Sequence, residues 1–194
     1  MLVNKDHSPV YPKIMDKLEI TLMDERPMIS IVKPVAGDYF YGSTLEVQVA
    51  IEDLMMNASA IGGNNTAGEG HWHLYINGDL IGPYTDSMVT LTDLPVGHHT
   101  LKVMLANNDH IPVIPEASAM VDFHLLGIPS IEIVSPVNGT TLEGNTLDLE
   151  VDVMNFVLNS SAVGGSNMPG EGHYHVYING DLVGPYTDTM ISIP

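Results

Sequence analysis

Residues 68–88 read GEGHWHLYINGDLIGPYTDSM, and residues 170–190 read GEGHYHVYINGDLVGPYTDTM. Only Trp72/Tyr174, Leu74/Val176, Ile81/Val183 and Ser87/Thr189 differ, each a conservative exchange. Two stretches this alike, 102 residues apart (173 against 71), mark a duplicated domain. The same offset continues upstream without a gap, setting Ile29, Pro34, Gly37 and Gly42 against Ile131, Pro136, Gly139 and Gly144. A fainter match, at an offset of 103, links MLVNKDHSPVYPKIMDKLEITL at the N-terminus to MLANNDHIPVIPEASAMVDFHL at residues 104–125.

These offsets divide the chain into three expected parts. Residues 1–25 read as the end of a preceding repeat, a terminal strand segment able to act as a donor strand. Residues 28–126 read as a complete domain, and residues 130–194 as an incomplete second one without its last strands. Either a longer tandem array has been cut, or the incomplete pieces complete each other between neighbouring chains. The second option has a physical motive, because an unfinished sandwich exposes apolar core and unpaired backbone groups that a neighbour's strand can satisfy. Repeated head to tail, such pairing makes a homopolymeric filament. Residues 1–25 cannot by themselves replace the missing stretch, which includes most of a central strand.

Period-two alternation dominates residues 28–126. Leu45, Val47, Val49 and Ile51 share one face, as do Leu101, Val103 and Leu105, and again Val121, Phe123 and Leu125. Turn residues punctuate these runs at Asn77-Gly78, Gly82-Pro83 and Pro95 to Gly97. Strands are expected near 29–33, 44–53, 71–77, 79–84, 86–92, 98–106 and 118–126, an all-β, antiparallel sandwich of the immunoglobulin-like kind. The opening I-x-I-V-x-P-V-x-G at Ile29 to Gly37, with its following G-x-T-L-x-V at Gly42 to Val47, resembles the immunoglobulin-like repeats of bacterial and archaeal surface proteins. The segment GEGHWH is similar to a G-x-H-x-H strand in uncharacterised secreted domains. That resemblance implies a tandem sandwich array at a cell surface and names no ligand.

Within a strand alternate residues share a face, so His71, His73 and Tyr75 point one way and Trp72, Leu74 and Ile76 the other. The apolar set belongs in the core, which places the imidazoles on the outer face and makes Trp72 a packing residue. If this strand and the one at 98–106 are antiparallel neighbours, His71 and His73 meet the segment Asn107-Asn108-Asp109-His110, and His98 lies beside His124 at the far end. Three imidazoles with Asp109 or Glu69 nearby form a ligand set for Zn²⁺ or Cu²⁺, which favour neutral histidine nitrogen supplemented by carboxylate. The corresponding set in the split repeat is His173 and His175 with His7 and Asp6; if another chain supplies the last two, a metal there would clamp a subunit junction. The bland alternative is a solvated sheet face with a loop histidine. A calcium site is a competing expectation, built on Glu69, Asp109, Asn107 or the Asn64-Asn65 loop as hard oxygen donors, although no D-x-D-x-D-G loop is present.

Six Lys plus Arg against 24 Asp plus Glu give a formal net charge of -18, which disfavours nucleic acid and anionic membrane as partners. No cysteine is present, so disulfides, thiolate metal sites and cysteine nucleophiles are excluded. Apolar runs such as Ile111 to Ile114 are too short to span a bilayer. Sequons at Asn57, Asn64, Asn138 and Asn159 are glycosylation candidates compatible with an extracellular or cell-surface location. The twelve methionines read as packing residues. H-x-H on a sandwich strand is similar to copper-zinc superoxide dismutases, but the later bridging histidine pattern and the cysteines of that family are missing. No G-x-S-x-G, phosphate loop or H-E-x-x-H occurs, so a copper-dependent enzyme is the less favoured alternative and no catalytic residue is assigned. The expected role is non-enzymatic: a subunit of a surface array or filament, or alternatively a soluble extracytoplasmic metal-binding module.

Overall fold

The structure, a computed structural model, describes residues 1–20 and 26–194. The end of the expected 1–25 segment, residues 21–25, lies outside the described residues. Among the described residues the chain is all-β, with two short 3-10 turns. Its strands in the first repeat are β1 (Met28–Lys33), β2 (Tyr39–Tyr41), β3 (Leu45–Glu52), β4 (Met55–Met56), β5 (Glu69–Ile76), β6 (Asp79–Tyr84), β7 (Met88–Leu91), β8 (Gly97–Asn107) and β9 (Ser118–Leu126). Strands β1, β3 and β7 form one antiparallel sheet. The other runs β2-β9-β8-β5, with β4 and β6 in succession along the outer edge of β5.

The alternating positions explain why these sheets face each other. Leu45, Val47 and Val49 of β3 join Trp72, Leu74 and Ile76 of β5, Leu101, Val103 and Leu105 of β8, and Val121, Phe123 and Leu125 of β9 in one buried cluster. Each such side chain contributes about 1.5–3 kcal/mol on burial. Trp72 is fully buried, and its indole N–H donates to the Asp86 carbonyl (3.0 Å), satisfying the one polar atom it carries inward. The β5–β6 hairpin turns on Asn77 (φ 53°) and Gly78 (φ 93°), the left-handed pair that a two-residue hairpin requires.

Residues 130–194 rebuild part of this plan as β10 (Ser130–Ser135), β11 (Leu147–Met154), β12 (Val157–Leu158), β13 (Glu171–Gly172), β14 (Tyr174–Ile178), β15 (Asp181–Tyr186) and β16 (Met190–Ile193). The β10-β11-β16 sheet repeats β1-β3-β7, with Ile131↔Val153 answering Ile29↔Ile51 and Leu147↔Ile193 answering Leu45↔Leu91. Among the described residues of this half no strand answers to β2, β8 or β9. The consequence is local: the counterpart of β5 breaks at His173, between β13 and β14. Leu149, Val151 and Ile193 are buried there, while Ile131, Ile133 and Tyr177 stay exposed.

Residues 1–20 form no named strand, yet they copy the backbone of the loop that follows β8. Leu2 N–H bonds the Ile14 carbonyl as Leu105 N–H bonds that of Ala117. The bonds Val10→Leu2, Asn4→Ser8 and His7→Asn4 likewise repeat Val113→Leu105, Asn107→Ile111 and His110→Asn107. His7 and His110 both sit at φ 66°, a left-handed conformation uncommon outside glycine.

Candidate metal centre

Pairing of β5 with β8 builds the site. The register sets Gly70 opposite Asn107, His71 opposite Ala106 and His73 opposite Met104, so both imidazoles stand beside the end of β8. The chain then turns tightly: Asp109 Oδ1 accepts from Ile111 N–H (3.1 Å), and His110, in its left-handed conformation, swings its ring back over β5. His71 Nε2 lies 2.9 Å from His73 Nε2 and 3.0 Å from His110 Nδ1, and His73 Nε2 lies 3.1 Å from His110 Nδ1.

Three ring nitrogens this close cannot all be satisfied by one another. Each brings either one N–H or one lone pair, so at least one of the three contacts sets lone pair against lone pair or hydrogen against hydrogen. One cation facing three lone pairs removes the conflict. Burial, then the proximity of His73 and His110, pushes the proton affinity of His71 down to about 4. Burial and His110 also lower that of His73. Both rings are therefore neutral near pH 7, the form that ligates a metal. With metal–nitrogen bonds of about 2.05 Å, separations near 3 Å correspond to angles of roughly 90–100°. An ion held there would have all three nitrogens to one side of it.

The imidazoles do lie on the sheet face opposite Trp72, as the alternation requires. The face is not solvated, however: His71 is 0% and His73 5% exposed, and only His110 is open to solvent. The cover is the segment between β4 and β5. Gly62 N–H donates to the Asn108 carbonyl (2.7 Å), and Asn108 Nδ2 reaches the Asn64 carbonyl (3.5 Å). Asn57 caps the 3-10 turn at Ala58–Ala60 through Ser59 N–H, while its Nδ2 donates to Glu69 Oε2 (2.9 Å). Periodicity says which face a side chain takes, and a loop that folds back over that face leaves no periodic mark.

The carboxylates expected nearby are engaged elsewhere, Glu69 with Asn57 and Asp109 with its own turn. Among the described residues the one convergent group of three potential metal-ligating side chains is His71, His73 and His110. Asn57 Nδ2, the atom a glycan would take, carries the Glu69 bond, and Asn159 repeats this with Glu171 (3.1 Å). Asn64 and Asn138 are exposed. His173 and His175 keep the 2.9 Å Nε2–Nε2 contact, but His173 is half-buried and His175 exposed. His7 and Asp6 are exposed, with Asp6 Oδ1 held by Ser8 N–H (3.1 Å) and Ser8 Oγ (2.6 Å). His98 and His124 meet across β8 and β9 with rings 5.0 Å apart, as expected.

The sequence reading assigned no part to His99. It is buried against Phe123, its Nε2–H donates to the Pro95 carbonyl (2.7 Å), and its Nδ1 accepts from Asn77 Nδ2 (3.1 Å). This is a histidine spent on holding the hairpin turn, and the signal that could have found it is its phase: His99 alternates with Leu101, Val103 and Leu105 on the core face, whereas His98 falls on the outer one.

No protein-family model and no curated protein matches the chain. Among solved structures it is similar to fibronectin(III)-like modules of Clostridium thermocellum CbhA (TM-score 0.36, 16% identity, 52% of this chain and 98% of that one). It is also similar to an engineered protein (TM-score 0.32, 10% identity, 52% and 20%) and to CopC from Methylosinus trichosporium OB3b (TM-score 0.29, 14% identity, 53% and 95%). Among the described residues no helix is long and apolar enough to cross a membrane.

Proposed function

We propose that the chain is a non-enzymatic, extracellular module that binds a transition-metal cation, zinc or copper, between His71, His73 and His110. The supporting observation is the convergence of three ring nitrogens within 3.1 Å, two of them on buried, neutral imidazoles. Three imidazole donors suit Zn²⁺ or Cu²⁺ and not Ca²⁺, which takes oxygen. Titration with zinc is expected to show one tight site per first repeat. His71→Ala or His110→Ala should weaken it by about 100-fold or more, beyond the roughly 10–100-fold typical of outer-shell changes. Unchanged affinity in these variants, or displacement of zinc by equimolar calcium, rules the site out.

A second reading, compatible with the first, is an assembly subunit of a surface array or filament joined head to tail by strand complementation. What supports it is the tandem repetition itself: the β10-β11-β16 sheet repeats the pairing of β1-β3-β7.

A further inference from the structure

A cation between His71, His73 and His110 dictates which nitrogen of each ring keeps its hydrogen. His71 and His73 face the centre with Nε2, and His110 faces it with Nδ1. For all three to offer lone pairs, His71 and His73 must carry hydrogen on Nδ1 and His110 on Nε2. These three outward N–H groups meet different surroundings. His110 is exposed, so water can serve its Nε2. His71 Nδ1 is buried and has no hydrogen-bond partner among the described residues. His73 is 5% exposed, and its Nδ1 lies 3.4 Å from the hydroxyl oxygen of Tyr75.

The strand itself brings Tyr75 there. Tyr75 stands two residues beyond His73 on β5 and so takes the same sheet face, with the two rings edge to face at 6.2 Å between centroids and 74° between planes. On the alternate positions Trp72, Leu74 and Ile76 anchor β5 in the core, which fixes the direction in which both His73 and Tyr75 point. Tyr84 packs against that core, whereas Tyr75 does not belong to it and is half-buried on the histidine side.

We propose that Tyr75 is a positioning residue of the metal site: its hydroxyl oxygen accepts the Nδ1–H of His73 and so keeps the Nε2 lone pair turned to the ion. A hydroxyl can accept from Nδ1–H or donate to bare Nδ1, so His73 has a partner in either tautomer. Taking up a metal therefore leaves no buried N–H of His73 unpaired. Without the hydroxyl that N–H meets a closed face, the costly case for a buried donor. An imidazole whose far N–H is engaged is also better oriented and more basic towards the ion it ligates. This role rests on the proposed metal function and assigns one of its three ligands an orienting partner.

The test is zinc titration of the full chain and of Tyr75→Phe, which keeps the ring and removes the oxygen, with Tyr177→Phe as a control in the second repeat. Proton–nitrogen NMR of the histidine side chains in the zinc-loaded proteins follows the Nδ1–H of His73. Tyr75→Phe should bind zinc about 10–100-fold more weakly, the range for loss of an outer-shell hydrogen bond, and should shift or abolish that resonance. Tyr177→Phe should change neither. If Tyr75 only fills space, Tyr75→Phe lowers the denaturation midpoint at most and leaves zinc affinity and the His73 resonance as in wild type, which overturns the proposal. The two readings fail separately. Zinc bound equally by wild type and His71→Ala removes the site, whereas zinc lost in His71→Ala but held at full affinity by Tyr75→Phe leaves the site standing and removes the role of Tyr75.

Discussion

His71 shows how burial holds a side chain in its neutral form at pH values where water would begin to protonate it. Its ring is fully enclosed, its proton affinity is lowered from 6.5 to about 4, and its Nδ1 has no hydrogen-bond partner among the described residues. The unfolded chain therefore binds a proton at this residue between those two values while the folded chain does not. Stability from this group is present above pH 6.5 and is lost as pH falls from there towards 4, with no further loss below. Denaturant midpoints of the metal-free protein should fall across that window, and the fall should shrink in His71→Phe, which has nothing to protonate. The face this residue takes was readable from G-x-H-x-H, since alternation alone separates it from Trp72. Its burial was not, because that depends on Gly62 and Asn64 reaching Asn108 from a loop with no pattern.

At the level of elements, the strands with strong alternation, β3, β8 and β9, were readable to within a residue or two. β2 and β4 were not. Each is held by a parallel partner far along the chain, Tyr39–Tyr41 by β9 and Met55–Met56 by β5, and a two- or three-residue strand has no period to detect. Tertiary pairing also decides the fate of near-identical sequence: His71 continues β5 where β8 flanks it, and His173 interrupts the corresponding run, beside which no such strand lies among the described residues. At Gly70 an added Cβ would lie 2.3 Å from the Ala106 carbonyl oxygen of β8. Gly70→Ala must push the two strands apart and should destabilise the first repeat by about 2–4 kcal/mol, as measured by chemical denaturation. At Gly172 the added atom meets the Phe156 ring (2.9 Å), a side chain that can rotate, so Gly172→Ala should cost clearly less.

For the molecule as a whole, the duplication was legible from one alignment of the chain on itself, and the charge from a count. A net charge of -18 repels itself within the folded chain. Raising ionic strength from about 0.01 M to 0.15 M shortens the Debye length from about 30 Å to about 8 Å. The melting temperature should rise over this range, and a flat or falling response would show that local ion pairs such as Lys33 with Glu46 outweigh the general repulsion.

The twin segments differ less in sequence than in shelter. An acylating reagent that attacks neutral imidazole nitrogen should label His175 and His173 quickly and His71 and His73 slowly in the metal-free monomer, with mass spectrometry of the peptides reporting both rates from one sample. The chain thus contains its own reference for accessibility: the open pair calibrates the reagent against which the sheltered pair is read.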